Sequence, residues 1–377
     1  MRRTYLTIIA IVLLVSIFLG ITIAVYGKEN TVKLSSPEIL QTNLMGEAGY
    51  SVFQLSDGSL ILNSANQSCT FLTKLDVSYH VLWTKTIQID QKPTVLPRLV
   101  PTHDGGYILG GIVNNMYVLV KTDSQGNLQW TKMLSSEAPI NYFMSIIQTR
   151  DNGFAIAGFG EKAEDSEGWI WFAKTDSSGK LLWNETISGP LANCPSTIFQ
   201  TSNGGYVLSD VSYSFDPNQA FFSLIKLNAI GNVLGNTTYG GKGYYFQPEC
   251  NFAITTKDGG YLMAGYLWQK NAWLVKIDTQ GNMEWNQTYG KTGSSITGAL
   301  EIPNRGYLLV TISNQTDAGL MITDKTGKIL WNTNIQGVTL PVGLEANFNS
   351  IINDKNRGYI MIGSKNQSVW LAKFDFK

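Results

Sequence analysis

Charge, histidine and cysteine are all scarce in this chain. Of its 377 residues only 15% are charged, and 28 lysines and arginines balance 28 aspartates and glutamates. A chain with no basic excess is poorly suited to neutralising a run of phosphates, which argues against nucleic acid as a partner. The two histidines, His80 and His103, stand on separate turns, an arrangement that fits neither a metal pair nor a catalytic triad. The three cysteines, Cys69, Cys194 and Cys250, form no CxxC, so no metal or thiol-redox motif is present. No metal site, cofactor or catalytic residue is expected. Acids gather densely only at Glu161, Glu164, Asp165 and Glu167. Their spacing matches no calcium loop and suits a solvated loop.

Long apolar runs are equally rare, with one exception. Tyr5 to Val25 carries no charge and follows Arg2 and Arg3. As a helix it spans about 30 Å, the thickness of a bilayer core. The arginines favour the cytoplasmic side, which sends the remainder of the chain across the membrane. Residues 1–28 are therefore expected to be an N-terminal transmembrane anchor or a signal peptide, with Thr22-Ile23-Ala24 as a weak cleavage site. The expected location is the cell membrane, with the body on the extracytoplasmic side. Residues 29–48 read as a linker and ring-closing strand, and 49–377 as one repeated architecture.

What the chain does have is glycine, aromatics and a repeat. One phrase recurs at Thr102-His-Asp-Gly-Gly-Tyr, Thr149-Arg-Asp-Asn-Gly-Phe, Thr201-Ser-Asn-Gly-Gly-Tyr and Thr256-Lys-Asp-Gly-Gly-Tyr, with weaker copies near Asp57, Asn304 and Asn356. Successive copies lie 46 to 55 residues apart. A second phrase follows, Lys-x-Asp and then a turn. Counted from its Asp or Asn, a glycine stands at +3 (Gly126, Gly179, Gly231, Gly281, Gly327) and a tryptophan at +7 (Trp83, Trp130, Trp183, Trp285, Trp331).

The chemistry of these phrases is that of tight hairpins. Asp or Asn at a turn start bonds the backbone two residues on, and glycine supplies the left-handed conformation the turn needs. Each repeat thus holds four short strands, a to d. In the third copy they are expected at 145–149, 153–158, 169–176 and 181–187. A four-stranded sheet per repeat cannot bury both faces alone, so the sheets stack about an axis as an all-β, seven-bladed β-propeller. The recurrent tryptophans read as plates docking one blade on the next. The lysines at −2 (Lys74, Lys121, Lys174, Lys226, Lys276, Lys373) read as packed stems with paired heads.

Departures from the repeat are informative. Blade four has Gly235 in place of the tryptophan. Blade one has Tyr79 in place of the turn glycine, and because a non-glycine residue there costs about 1–2 kcal/mol, a different turn is expected. Blade seven ends after strand c, and Asn30–Ile39 is the expected donor of its fourth strand. Cys194 and Cys250 enter neighbouring blades at nearly the same level, a candidate disulfide subject to the usual Cα separation limit.

Thr323-Asp-Lys-Thr-Gly-Lys-Ile-Leu-Trp331 resembles the tryptophan-docking repeat of quinoprotein-like (PQQ-like repeat) propellers. The Thr-x-Asp-Gly-Gly-Tyr half resembles repeats of a largely archaeal group of uncharacterised exported propellers. The resemblance covers roughly residues 45–377 and speaks to architecture. The dehydrogenases of that superfamily imply a vicinal cysteine pair, and no two cysteines are adjacent here. The resemblance is therefore closer to the non-enzymatic scaffold members.

The turns at the a–b and c–d tips are uniform, whereas the d–a and b–c loops on the opposite face vary. Binding residues ride on such loops. The candidates are Tyr142, Phe143, Tyr213, Phe215, Tyr244, Tyr245, Phe246 and Trp268, suited to a protein or carbohydrate ligand. An exported binding or scaffolding module is the first expectation. The alternative is a propeller enzyme: a lyase, a glycosidase or a quinoprotein-like oxidoreductase.

Overall fold

The structure is a computed structural model that describes residues 38–41, 44–90, 92–136, 138–161, 168–188, 191–214, 220–240, 248–267, 271–290, 294–313, 317–340, 350–355 and 358–375. Among them, 28 strands form seven antiparallel sheets of four. The first strands of successive sheets abut in a closed cycle that returns from blade seven to blade one. The architecture is the seven-bladed propeller that the repeat implies.

The apolar cores lie between blades. One joins Ile61 and Leu72 of blade one to Leu99, Leu109 and Val120 of blade two. The last joins Leu60 and Leu62 of blade one to Ile360 and Leu371 of blade seven. There are seven such clusters among the described residues, one per joint. Alternation along each strand is what sends one side chain to the preceding joint and the next to the following one.

Blade three shows how the strands compare with expectation. They run Ile140–Gln148, Phe154–Glu161, Gly168–Thr175 and Leu181–Ile187. Strand a begins five residues earlier than expected, so Tyr142 and Phe143 belong to a strand and not to a loop. The cause is a bulge between Phe143 and Ser145, beyond which pairing resumes as far as Ile140 opposite Glu161. The same bulge recurs in strand a of blades one, four, five and six. An inserted residue of this kind bends the strand and lets pairing continue past it.

The ring closes through its ends. Glu38–Gln41 forms the fourth strand of blade seven, with Glu38 opposite Lys373 and Ile39 opposite Ala372. The donor is thus an N-terminal segment, and of the expected stretch Asn30–Ile39 the described residues Glu38 and Ile39 take part in the pairing. Residues 30–37 lie outside the described residues, as does the whole apolar run expected to anchor the chain. Among the described residues no helix is long and apolar enough to cross a membrane.

One expectation is overturned at the first c–d turn. Tyr79 adopts φ 67°, and its amide donates to the Asp76 carbonyl at 3.0 Å, the pattern of the glycine turns. Its hydroxyl donates to Asp354 of blade seven, and Lys373 Nζ lies 6.0 Å from its ring centre. Contacts across the closing joint offset the backbone cost.

Candidate functional site

The tip face is built from the two repeated phrases. In blade two, Asp104 Oδ1 accepts from the Thr102 hydroxyl at 2.5 Å, the Gly106 amide at 3.0 Å and Lys121 Nζ at 3.1 Å. Its other oxygen lies 2.9 Å from the same ammonium, which also donates to the Thr122 carbonyl at 2.8 Å. Asp151 with Lys174 and Asp258 with Lys276 repeat the ion pair at 2.9 Å. Partial burial pushes Asp104 and Asp258 upward, but the hydroxyl, lysine and amide donors outweigh it and hold each at about 2. The second glycine of the phrase follows from this packing. A β-carbon on Gly106 would sit 2.2 Å from the Thr122 carbonyl oxygen and 2.5 Å from Lys121 Nζ. Lys121, Lys174 and Lys276 are thus paired within their own blades, whereas Lys226 donates to the Gln280 carbonyl of blade five at 3.2 Å.

The tryptophans lie across the joints. Trp83, Trp130, Trp183 and Trp285 stand 6.0 to 6.3 Å, centre to centre, from Tyr107, Phe154, Tyr206 and Tyr307 of the following blade. Each also covers the next c–d glycine: a β-carbon on Gly126 would meet Trp83 at 2.7 Å. Trp331 packs against the joint between blades six and seven. At Gly235 the plate is missing, and the Tyr239 hydroxyl bonds the Gly281 carbonyl at 2.8 Å across that joint. Further bonds stitch the tips together. The amides of His103, Arg150 and Lys257 donate to Gln148, Gln200 and Glu301 of the following blades. Both histidines are exposed on these tips, His80 beside Asp76 and His103 beside Asn152.

On the opposite face, Tyr142 is half-buried, stacked on Phe159 at 5.9 Å with its hydroxyl 3.2 Å from Glu161 Oε1. Phe143 is only 5% exposed. Its ring lies over Gly110, where a β-carbon would meet it at 2.2 Å, and 6.1 Å from Tyr117. Phe143 therefore belongs to the joint between blades two and three and not to a binding surface. Tyr213 lies in strand b of blade four (Tyr206–Ser214), opposite Ala192 and Ala220. Phe215, Tyr244, Tyr245, Phe246 and Trp268 lie outside the described residues. Cys194 and Cys250 occupy strands a of blades four and five (Leu191–Gln200 and Pro248–Thr255), which abut.

Reading the repeat for its constants missed a cleft at the joint between blades five and six. It measures 510 Å³ and is floored by Trp285 and Tyr307. Around them stand Lys257, Asp258, Lys276, Glu284, Glu301 and Lys325. Lys276, 2% exposed, is held at 2.9 Å by both Asp258 and Glu284. Glu301 accepts the Lys257 amide at 2.7 Å. The joint between blades three and four has a smaller counterpart of 390 Å³. There Leu182, Gln200 and Ala229 occupy the repeat positions of Glu284, Glu301 and Lys325. The signal available in the sequence was departure from the repeat: the residue before the tryptophan position is Leu82, Gln129, Leu182, Leu234 and Leu330 in the other blades, against Glu284.

No protein-family model and no curated protein matches the chain. Solved structures do. The chain is similar to an ulvan lyase of a polysaccharide lyase family, solved bound to GlcA(1-4)Rha3S, with a TM-score of 0.56 at 8% identity over 89% of this chain and 95% of that one. A protein from Lactobacillus plantarum gives a TM-score of 0.52 at 13% identity over 76% and 84%. A protein of unknown function from Dyadobacter fermentans gives 0.48 at 12% identity over 92% and 100%. For the first two, at 8% and 13% identity, the likeness is one of fold, and the class defined by the seven four-stranded sheets is the β-propeller.

Proposed function

We propose that the chain is an exported, membrane-anchored binding or scaffolding module whose ligand, a protein or a carbohydrate, engages the face of the d–a and b–c loops. The observation that carries this is the asymmetry of that face. The b–c connection is two residues, Asn114 and Asn115, in blade two, whereas in blade three it spans residues 162–167 between Glu161 and Gly168. The tip turns, by contrast, repeat one hydrogen-bond pattern from blade to blade. A specific partner needs a surface that differs around the ring, and loops on a rigid scaffold supply it. The Asp-Gly-Gly-Tyr phrases support placing the chain beside the quinoprotein-like exported propellers.

The test offers immobilised full-length protein a panel of polysaccharides and, separately, detergent-solubilised envelope proteins. Trp268→Ala and Tyr245→Ala are each expected to weaken the interaction found by about 2 kcal/mol, as loss of an aromatic anchor does. Asp104→Ala, on the tip face, is the control. Binding abolished by Asp104→Ala and untouched by the aromatic changes places the site on the other face. Release of unsaturated sugar ends from any polysaccharide replaces the binding module with a lyase.

A further inference from the structure

We propose that the cleft between blades five and six is a second binding site, on the tip face, for a neutral saccharide. Its foundation is a comparison inside the molecule. The joints at three–four and five–six share a seat: Arg150, Asp151, Lys174, Trp183 and Tyr206 in one, and Lys257, Asp258, Lys276, Trp285 and Tyr307 in the other. Whatever the seat needs for folding is present in both. The difference is the ring of Glu284, Glu301 and Lys325, where the first joint has Leu182, Gln200 and Ala229. Glu301 accepts the Lys257 amide as Gln200 accepts the Arg150 amide, and Glu284 pairs with Lys276. The three–four joint is built with no charge at these positions, so what is surplus to the joint is their charge and not their contacts.

The chemistry selects the ligand. Three lysines (Lys257, Lys276, Lys325) face three acids (Asp258, Glu284, Glu301), so the lining is balanced and gives no net attraction to a strongly charged molecule. A sugar hydroxyl both donates and accepts, which suits carboxylates and ammoniums set side by side. The half-buried indole of Trp285 offers an apolar face for the C–H side of a pyranose. At 510 Å³ the cleft falls within the usual range for small-molecule sites. The buried ammonium of Lys276, fixed between Asp258 and Glu284, holds both carboxylates in place before any ligand arrives.

The experiment uses the full chain with ¹⁵N-labelled tryptophan, in a detergent without a sugar headgroup. Cellobiose, maltose and lactose are titrated to millimolar concentration. At least one is expected to shift the Trp285 indole signal saturably while the Trp183 signal, in the joint that lacks the three added charges, stays still. The triple variant Glu284→Leu, Glu301→Gln, Lys325→Ala rebuilds the cleft as its counterpart. It is expected to keep the parent's melting temperature within a few degrees and to lose about tenfold or more in affinity, the worth of one charged hydrogen bond. Equal binding by the triple variant, equal shifts at Trp183, or no saturable shift with any of the three sugars each overturns the proposal. Because this readout is confined to one tip-face cleft, its failure leaves the loop-face reading untouched.

Discussion

Asp104, Asp151 and Asp258 each close a turn by collecting a hydroxyl, an amide and a buried ammonium. Two of them titrate at about 2, below their ordinary 3.8. A carboxylate whose folded pKa is depressed stabilises the fold above its unfolded value and loses that contribution as pH falls toward its folded value. Melting temperature is therefore expected to drop between about pH 4 and pH 2, and the double variant Asp104→Asn, Asp258→Asn to show a shallower drop across that window. An unchanged slope assigns the acid transition to other groups. Gly260→Ala tests the neighbouring constraint, because its β-carbon would lie 2.1 Å from the Ile277 carbonyl oxygen. Overpacking of this kind costs about 1–3 kcal/mol, read by chemical denaturation.

At the scale of the blade, the tryptophan of strand d is the part that meets its neighbour. Trp285→Ala is expected to cost about 3 kcal/mol, the low end for large truncations because the indole is only half-buried. Gly235, in the one blade with no tryptophan, has nothing within 4 Å of a placed β-carbon. Gly235→Thr is therefore expected to stabilise by about 0.5–1 kcal/mol by removing a flexible residue from a strand. A loss of stability on that change would show that the position is reserved. Cys194 is not half of a disulfide in the structure; the bridge to Cys250 stays a proposal that peptide mapping without reduction tests, a linked pair supporting it and two unlinked thiols disposing of it. The tip turns and strand d of blade three (Leu181–Ile187) were legible because glycine, aspartate and tryptophan mark them. The strand-a bulges were not, since residues such as Met144 and Ser196 carry no local signature of an extra unpaired position. Phe143 was misplaced for that reason. The charged cleft escaped because a repeat is read by what recurs, and Glu284 and Glu301 do not.

For the whole molecule, the decisive contact joins its two ends. Truncation of residues 2–41 removes the strand Glu38–Gln41 and exposes the edge of Ser368–Phe374, whereas truncation of residues 2–37 leaves that pairing in place. The first is expected to lower the melting temperature by several degrees and promote association through the bare edge. The second is expected to melt near the parent, and equal melting of the two removes Glu38–Gln41 from the closure.

That pairing also sets an order of events. Glu38 is among the first residues of the propeller to leave the ribosome, and its partner Lys373 is among the last. Six blades can stack one after another as the chain emerges, because each lies next to its sequence neighbour. The seventh is completed by Glu38–Gln41, a segment far from it in sequence, so that strand waits unpaired until blade seven has been made. Ring closure is then the step with the longest loop to close and the slowest expected phase of refolding. A chain stalled or cut short before Ser368 is left as an open arc with unpaired strand at each end, a species that chaperones and proteases meet before any partner does.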